Sequence, residues 1–273
     1  MGMATLLQPH RPQGFFTPYR FASLVKNRQR SLHYPLCEQL FAAHMPDYRA
    51  ILADVGKVKN ALTAIGDDPP PAPRWDQDWF SGLDAAVAYT LVRQRPPSRL
   101  VEIGAGHSTR FFAKARADSG KEFRLLTIDP DPRGRLGGLD VHHIHQDVTQ
   151  APQEIWDDVA PTDIVSIDSS HILQPGTDVD YLLNQVLPKL SVGVRLHVHD
   201  VFLPDPYPAD WQWRGYNEQS AIAALLGSGA YRPLFASHYL TSRHKDVLEA
   251  SPAAAFAARG GAPASSLWLE KLC

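Results

Sequence analysis

At 273 residues with 44% hydrophobic content, the chain can bury one large core. A net charge of −2 with no long basic run argues against a general nucleic-acid binder, and no run of apolar residues is long enough to span a membrane. Two cysteines, Cys37 and Cys273, give neither a disulfide framework nor a Cys-x-x-Cys metal site, so a soluble cytoplasmic protein is expected.

Residues 1–30 are irregular, and the cluster Gly14, Phe15, Phe16, Thr17, Pro18, Tyr19, Arg20, Phe21 holds too many aromatics for a free tail. An arm packed on the body is expected. From Phe41 onward, His44, Tyr48, Ile51, Val55, Val58, Leu62 and Ile65 recur at alternating steps of three and four. This spacing predicts one helix with Pro46 in its first turn and an end near Gly66. Its seam suits helix–helix contact, either in the core or across a homodimer. The proline-rich stretch 66–73 reads as a stiff connector. The chain is therefore divided into an arm with a helical extension, 1–72, and a main domain, 73–273. A helix is expected over 83–92.

The centre of the chain is the stretch 99–112. An apolar β-type run, Leu100-Val101-Glu102-Ile103, enters the turn Gly104-Ala105-Gly106, and Ser108 and Thr109 can cap the helix that follows. Gly104 and Gly106 have no Cβ, so a ligand can lie against bare backbone there. Glu102 before the first glycine repels phosphate and suits an ammonium group. Thr109 stands where a dinucleotide fingerprint has its third glycine. Further strands are read at 123–128, 141–145, 164–167 and 194–198, closing on Asp129, Asp147, Asp168 and His199-Asp200. Helical patterns at 179–187 and 220–226 lie between or after them, which implies parallel pairing in an open α/β sheet. A last pair of strands is read at 237–240 and 266–270. Asp129 can accept both hydroxyls of a ribose, although its Asp-Pro-Asp-Pro setting is also an ordinary turn.

The run Glu102-x-Gly104-x-Gly106-x-Ser108-Thr109 resembles motif I of the class I S-adenosylmethionine-dependent methyltransferases. The resemblance extends to Ile167-Asp168-Ser169-Ser170-His171, to His197-Val198-His199-Asp200, to Asn217-Glu218-Gln219 with its Arg-Gly-Tyr lead, and to Ser265-Ser266-Leu267-Trp268-Leu269. It implies a doubly wound, mostly parallel, seven-stranded Rossmann-like sheet that ends in an antiparallel hairpin. It also implies S-adenosylmethionine as cofactor: Glu102, Gly104, Gly106 and Ser108 at its methionine end, Asp129 at the ribose, Asp147 near the adenine and Asp168 beside the seat. It carries no particular acceptor.

If the fourth and fifth strands are neighbours, Asp168 and His171 face His199 and Asp200 across one gap. Carboxylates and imidazoles converging there match a divalent-cation site, for magnesium or, given nitrogen ligands, zinc, manganese or iron. A metal-free version uses His171 or His199 as general base, with Asp168 or Asp200 fixing the tautomer. His197 is expected to point away from His199, and His142, His143 and His145 to mark a partly exposed strand. Asn217 and Glu218, with Tyr207 and Trp211 of a proline-rich lid over 203–215, are read as shaping an acceptor pocket, and Phe15, Phe16, Trp75, Trp79 and Trp213 as its aromatic surroundings. The reading is methyl transfer to a small-molecule acceptor, with no nucleic-acid or membrane partner. Its rivals are a metal-dependent enzyme of other chemistry on the same scaffold and a non-catalytic binding module.

Overall fold

The computed structural model describes residues 33–66, 68–157 and 159–273, together with Met3, Leu7 and residues 17–21. The chain falls into two compact units, Met1–Leu32 and His33–Cys273. The division expected at residue 72 is therefore misplaced, because the helices before it belong to the same core as the sheet. In the first unit, exposed Tyr19 and Phe21 meet edge to face at 6.0 Å. Phe15 and Phe16 lie outside the described residues.

The second unit begins with three helices, α1 Pro35–Ala43, which was not expected, and α2 Met45–Lys57 and α3 Lys59–Thr63, which divide at Val58 the one helix that the spacing predicted. The chain bends at His44 because Pro46 has no N–H to continue the ladder of α1 and instead starts α2. The seam itself is buried as expected: Tyr48, Ile51, Val55, Val58, Leu62 and Ile65 are each no more than 4% exposed. Tyr48 packs on Phe235 at 5.6 Å, so the seam faces its own core.

Helix α4, Gly82–Gln94, starts at Ser81, whose side chain accepts from the Asp84 backbone N–H. It is buried along nearly its whole length and packs against α5, His107–Ser119. Strands β1 Arg99–Ile103, β2 Arg124–Ile128, β3 His142–Ile144, β4 Ile164–Ile167 and β5 Arg195–Val198 pair in parallel, with Ile103 beside both Ile128 and Ile167, and Ile167 beside Val198. Helix α6, Asp178–Tyr181, runs on into a π-helical turn over Leu182–Val186. Helix α7 is Glu218–Gly227.

Beyond α7 the expectation needs correction. The sixth strand, β6, is Tyr231–Ala236, while 237–240 opens the helix α8, Ser237–Arg243. After α9, Lys245–Glu249, strand β7, Leu267–Lys271, pairs antiparallel with both β5 and β6. The seven strands lie in the order β3-β2-β1-β4-β5-β7-β6. The sheet is thus mixed, with β7 alone reversed. No helix among the described residues is long and apolar enough to cross a membrane.

Candidate active site

The loops after the first five strands enclose one cleft of about 680 Å³. Gly104, Gly106 and Ser108 line it after β1, Asp129 after β2 and Asp147 after β3. Asp168 and His171 line it after β4, and His199 and Asp200 after β5. Its lining holds seven aspartates and two arginines, so the cleft favours a cationic ligand.

The two glycines have different tasks. Gly104 has φ +83°, and a Cβ there would stand 1.8 Å from the Asp168 carbonyl oxygen, so glycine is required by the close approach of β1 and β4 rather than by a ligand. At Gly106 a Cβ would meet nothing within 4 Å, which leaves bare backbone facing open space.

Glu102 does not line the cleft. It is fully buried beneath the turn, where its carboxyl oxygens accept from Ser108 Oγ at 2.5 Å and Thr109 Oγ1 at 2.6 Å. This corrects the expectation that Glu102 touches a ligand; of the two hydroxyls expected to cap α5, Thr109 Oγ1 does so by accepting from the N–H of the N-cap Gly106 at 3.0 Å, whereas Ser108 is turned to Glu102. Burial, opposed by these two hydroxyls, pushes the Glu102 carboxyl up to about 8. Because the folded value lies above the unfolded one, this contribution to stability is complete below about pH 4.5 and is lost as pH rises towards 8. Replacing Glu102 by Gln should therefore flatten the decline in stability between pH 5 and pH 8, by roughly 3 kcal/mol over that window. Denaturant midpoints that run parallel for the two proteins across this range would refute it.

At the ends of β4 and β5, Asp168 Oδ1 stands 3.6 Å from His199 Nδ1, which is 3.4 Å from Asp200 Oδ1. Donor atoms of these three residues all lie within 4.8 Å of one another. His199 Nδ1 is buried without a hydrogen-bond partner. Donors bound at about 2.0–2.2 Å to one cation have separations of this size, and the set of one imidazole and two carboxylates suits a divalent ion. His171, expected as a fourth ligand, is outside this group. Its Nε2 stands 3.3 Å from Asp168 Oδ1 and 3.5 Å from Asp200 Oδ2, and its Nδ1 is 2.8 Å from Glu218 Oε2. His171 and Asp200 both have positive φ, 59° and 55°, a strained setting for side-chain-bearing residues.

Burial alone would lower both imidazoles. In His171 the bonds to Asp168 and Glu218 outweigh it, and in His199 the charges of Asp168 and Asp200 do, so both are held well above the ordinary histidine value. Asp168, although burial opposes it, is held well below the usual carboxylate range by His199 and His171.

His197 shares the face of His199, contrary to expectation, because side chains two apart on a strand point the same way; Phe80 touches both rings. It is a satisfied core residue, bonded to Ser166 Oγ at 2.8 Å and Ser266 Oγ at 2.9 Å, and burial pushes it down to about 3.

Asp129 accepts from the backbone N–H of Ala105 and of Asp131, both at 2.7 Å. The ordinary-turn role is therefore real, and lone pairs remain for a ligand. Asp147 caps a short turn through the N–H and hydroxyl of Thr149 and is exposed to the cleft. Trp79, Trp211 and Tyr216 line the cleft. Trp75 instead packs on Phe111 and Phe256, and Trp213 is 79% exposed.

Asn217 and Glu218 do not line the cleft either. Asn217 clamps the Leu173 backbone from both sides, and the backbone N–H groups of both residues donate to the His171 carbonyl. Asp84 was missed by sequence reasoning. It is fully buried on α4, accepts from the N–H groups of Ser265 and Ser266, and stands 3.7 Å from His199 Nε2. Burial would raise it, but His199 first and the Ser265 N–H after it hold it below the usual carboxylate range. The available signal was an acid one turn into an otherwise apolar helix.

Residues 101–201 match the family model described as "Methyltransferase domain". This part of the chain, which runs from within β1 through β5 and holds the acid and histidine cluster, is thus similar to methyltransferase domains. No curated protein matches the chain. Among solved structures, the SAH-bound methyltransferase PaMTH1 of Podospora anserina is 15% identical, covering 69% of this chain and 78% of its own, with a TM-score of 0.42. The plantazolicin methyltransferase BpumL, in complex with a pentazolic desmethylPZN analog and SAH, is 15% identical over 87% of this chain and 100% of its own, with a TM-score of 0.43.

Proposed function

We propose that the protein is an S-adenosylmethionine-dependent methyltransferase for a small-molecule acceptor, assisted by a divalent cation. One observation carries the reading: the bare turn at Gly106, the free lone pairs of Asp129 and Asp147, and the Asp168, His199, Asp200 cluster all open into one acidic cleft. The turn and Asp129 would seat the methionine and ribose parts, with Asp147 beside the adenine.

Methyl transfer requires an acceptor lone pair in line with the carbon–sulfur bond and removal of the acceptor's proton as the methyl arrives. Asp168, His199 and Asp200 would hold the cation, which when bound lowers the pKa of an acceptor hydroxyl. A cation held there would also offset the charges of Asp168 and Asp200 that favour a second proton on His171. His171, donating Nδ1–H to Glu218, then presents the Nε2 lone pair as proton acceptor. Trp79, Trp211 and Tyr216 would flank the acceptor and exclude water.

Calorimetric titration with S-adenosylhomocysteine tests this. Binding is expected, weakened about 10- to 100-fold in Asp129→Asn, which keeps one oxygen for the Ala105 N–H but loses the charge. Absence of heat at millimolar ligand would remove the methyltransferase reading. Cation binding that persisted in that case would favour a metal-dependent reaction of another kind.

A further inference from the structure

Among the described residues the buried arginine other than Arg110, Arg195, is satisfied. At 7% exposed, it gives its guanidinium to the carbonyls of Leu91, Arg95 and Thr162. Arg110, only 3% exposed, is different. Its Nη2 reaches the Arg135 carbonyl at 3.4 Å, and its Nε is buried with no partner. Arg74 Nε and His107 Nδ1 are likewise buried and unpartnered, and among the described residues neither Arg74 nor Arg110 has an ion pair. His107 and Arg110 lie three residues apart on one face of α5, and the charges that act most on them are that of Arg74 on both and that of Arg110 on His107. Burial first, then Arg74, holds Arg110 below its ordinary value. Burial, then Arg110 and Arg74, pushes His107 down to about 4. An unpaired buried cation is among the most costly features a fold can carry, and clustering such groups compounds it.

Space for a counter-charge adjoins them. Arg110 lines a second cavity of about 520 Å³, where Lys114 and Arg116 stand with it against Asp68, Glu122 and Asp140, while His107 lines the cleft. His107 is also the first residue of the 13-residue helix α5, whose free N–H groups favour negative charge.

We propose that Arg74, His107 and Arg110 form an oxyanion-binding site behind the glycine turn, taking a carboxylate or phosphate group. The guanidinium fork of Arg110 fits either. The group belongs either to a separate ligand entering through the 520 Å³ cavity or to the carboxylate of the cleft ligand; only the second source rests on the methyltransferase reading.

The test compares thermal unfolding of wild type, Arg110→Gln and Arg110→Lys in chloride and in inorganic phosphate at equal ionic strength. Phosphate should raise the wild-type Tm by roughly 5 °C at saturation, with a smaller rise for Arg110→Lys and none for Arg110→Gln. In chloride, Arg110→Gln should melt no lower than wild type, because the charge it removes is unpaired. Should Arg110→Gln not fold, Arg74→Gln and Arg110→Lys carry the same comparison. No phosphate response in wild type, or an equal one in all variants, overturns the site. Titration of S-adenosylhomocysteine with and without phosphate then identifies the source. Phosphate that weakens wild-type binding tenfold but leaves Arg110→Gln unaffected assigns the site to the cleft ligand's carboxylate. Independent binding assigns it to a separate anion. A phosphate response without any binding of S-adenosylhomocysteine keeps the site and discards the methyltransferase reading.

Discussion

Asp168→Ala and Asp200→Asn are expected to abolish binding of Mn²⁺ and Zn²⁺, while Asp84→Asn weakens it and leaves the stoichiometry at one ion per chain. Asp168 and Asp200 bring the only negative charges among the three donors that come within 4.8 Å of each other, so losing either should lower affinity by about 100-fold or more. Asparagine is the right replacement at Asp200, since φ there is +55° and asparagine tolerates that conformation where alanine does not. Asp84 is not among these three donors. It stands 3.7 Å behind His199 Nε2 and orients the ring so that Nδ1 faces the two carboxylates. Carboxylates in that position are worth about 10- to 100-fold in metal affinity. Because Asp84 also holds the N–H groups of Ser265 and Ser266, circular dichroism must first show that the variant is folded. Titration calorimetry on chelator-treated protein decides the matter, and unaltered affinity in Asp168→Ala would exclude the cluster as a cation site.

The strand-end acids were legible because each closes a short apolar run and parallel strands gather their carboxyl ends along one rim. Asp129, Asp147, Asp168 and Asp200 therefore fell on one cleft without any knowledge of loop conformation. What failed was whatever depends on which element covers a side chain. The position of Glu102 on β1 says nothing of the Ser108 and Thr109 hydroxyls that close over it from α5. Asn217 and Glu218 lie near the site in sequence pattern, yet they are spent holding the 171–173 backbone and the His171 ring. The sixth strand was misplaced because it contains Pro233, which a central strand does not accept; β6 is the edge of the sheet, where a missing N–H is tolerated. The three-residue spread of Ser237, Tyr239 and Leu240, all buried, mimics a strand end although it belongs to a helix. Asp84 had no motif to mark it, only the general rule that a charge on an apolar helix must have a partner.

The glycine turn yields a paired prediction in which neighbouring substitutions of the same type part company. Gly104→Ala should destabilise the protein by about 4 kcal/mol or more, while Gly106→Ala should leave stability within about 1 kcal/mol of wild type. At Gly104 two effects add. A φ of +83° disfavours any residue with a Cβ, and that Cβ would sit 1.8 Å from a backbone carbonyl that cannot swing aside. The carbonyl belongs to Asp168, whose own N–H is bonded to Ile103 at 2.9 Å, while the Gly104 N–H is bonded to Ile128 at 3.0 Å. Relief would have to separate β1 from β4 and would carry Asp168 away from His199 with it. At Gly106 the backbone is extended, with φ −172°, and a Cβ meets open space, so the fold has no objection to alanine. The methyl group would instead project where the cofactor is proposed to lie, so affinity for S-adenosylhomocysteine should fall about tenfold although the protein stays folded. Chemical denaturation and ligand titration on both variants separate the outcomes. A Gly104→Ala protein as stable as wild type would mean that β1 and β4 do not approach as described, and a Gly106→Ala protein that binds as tightly as wild type would move the cofactor off the turn.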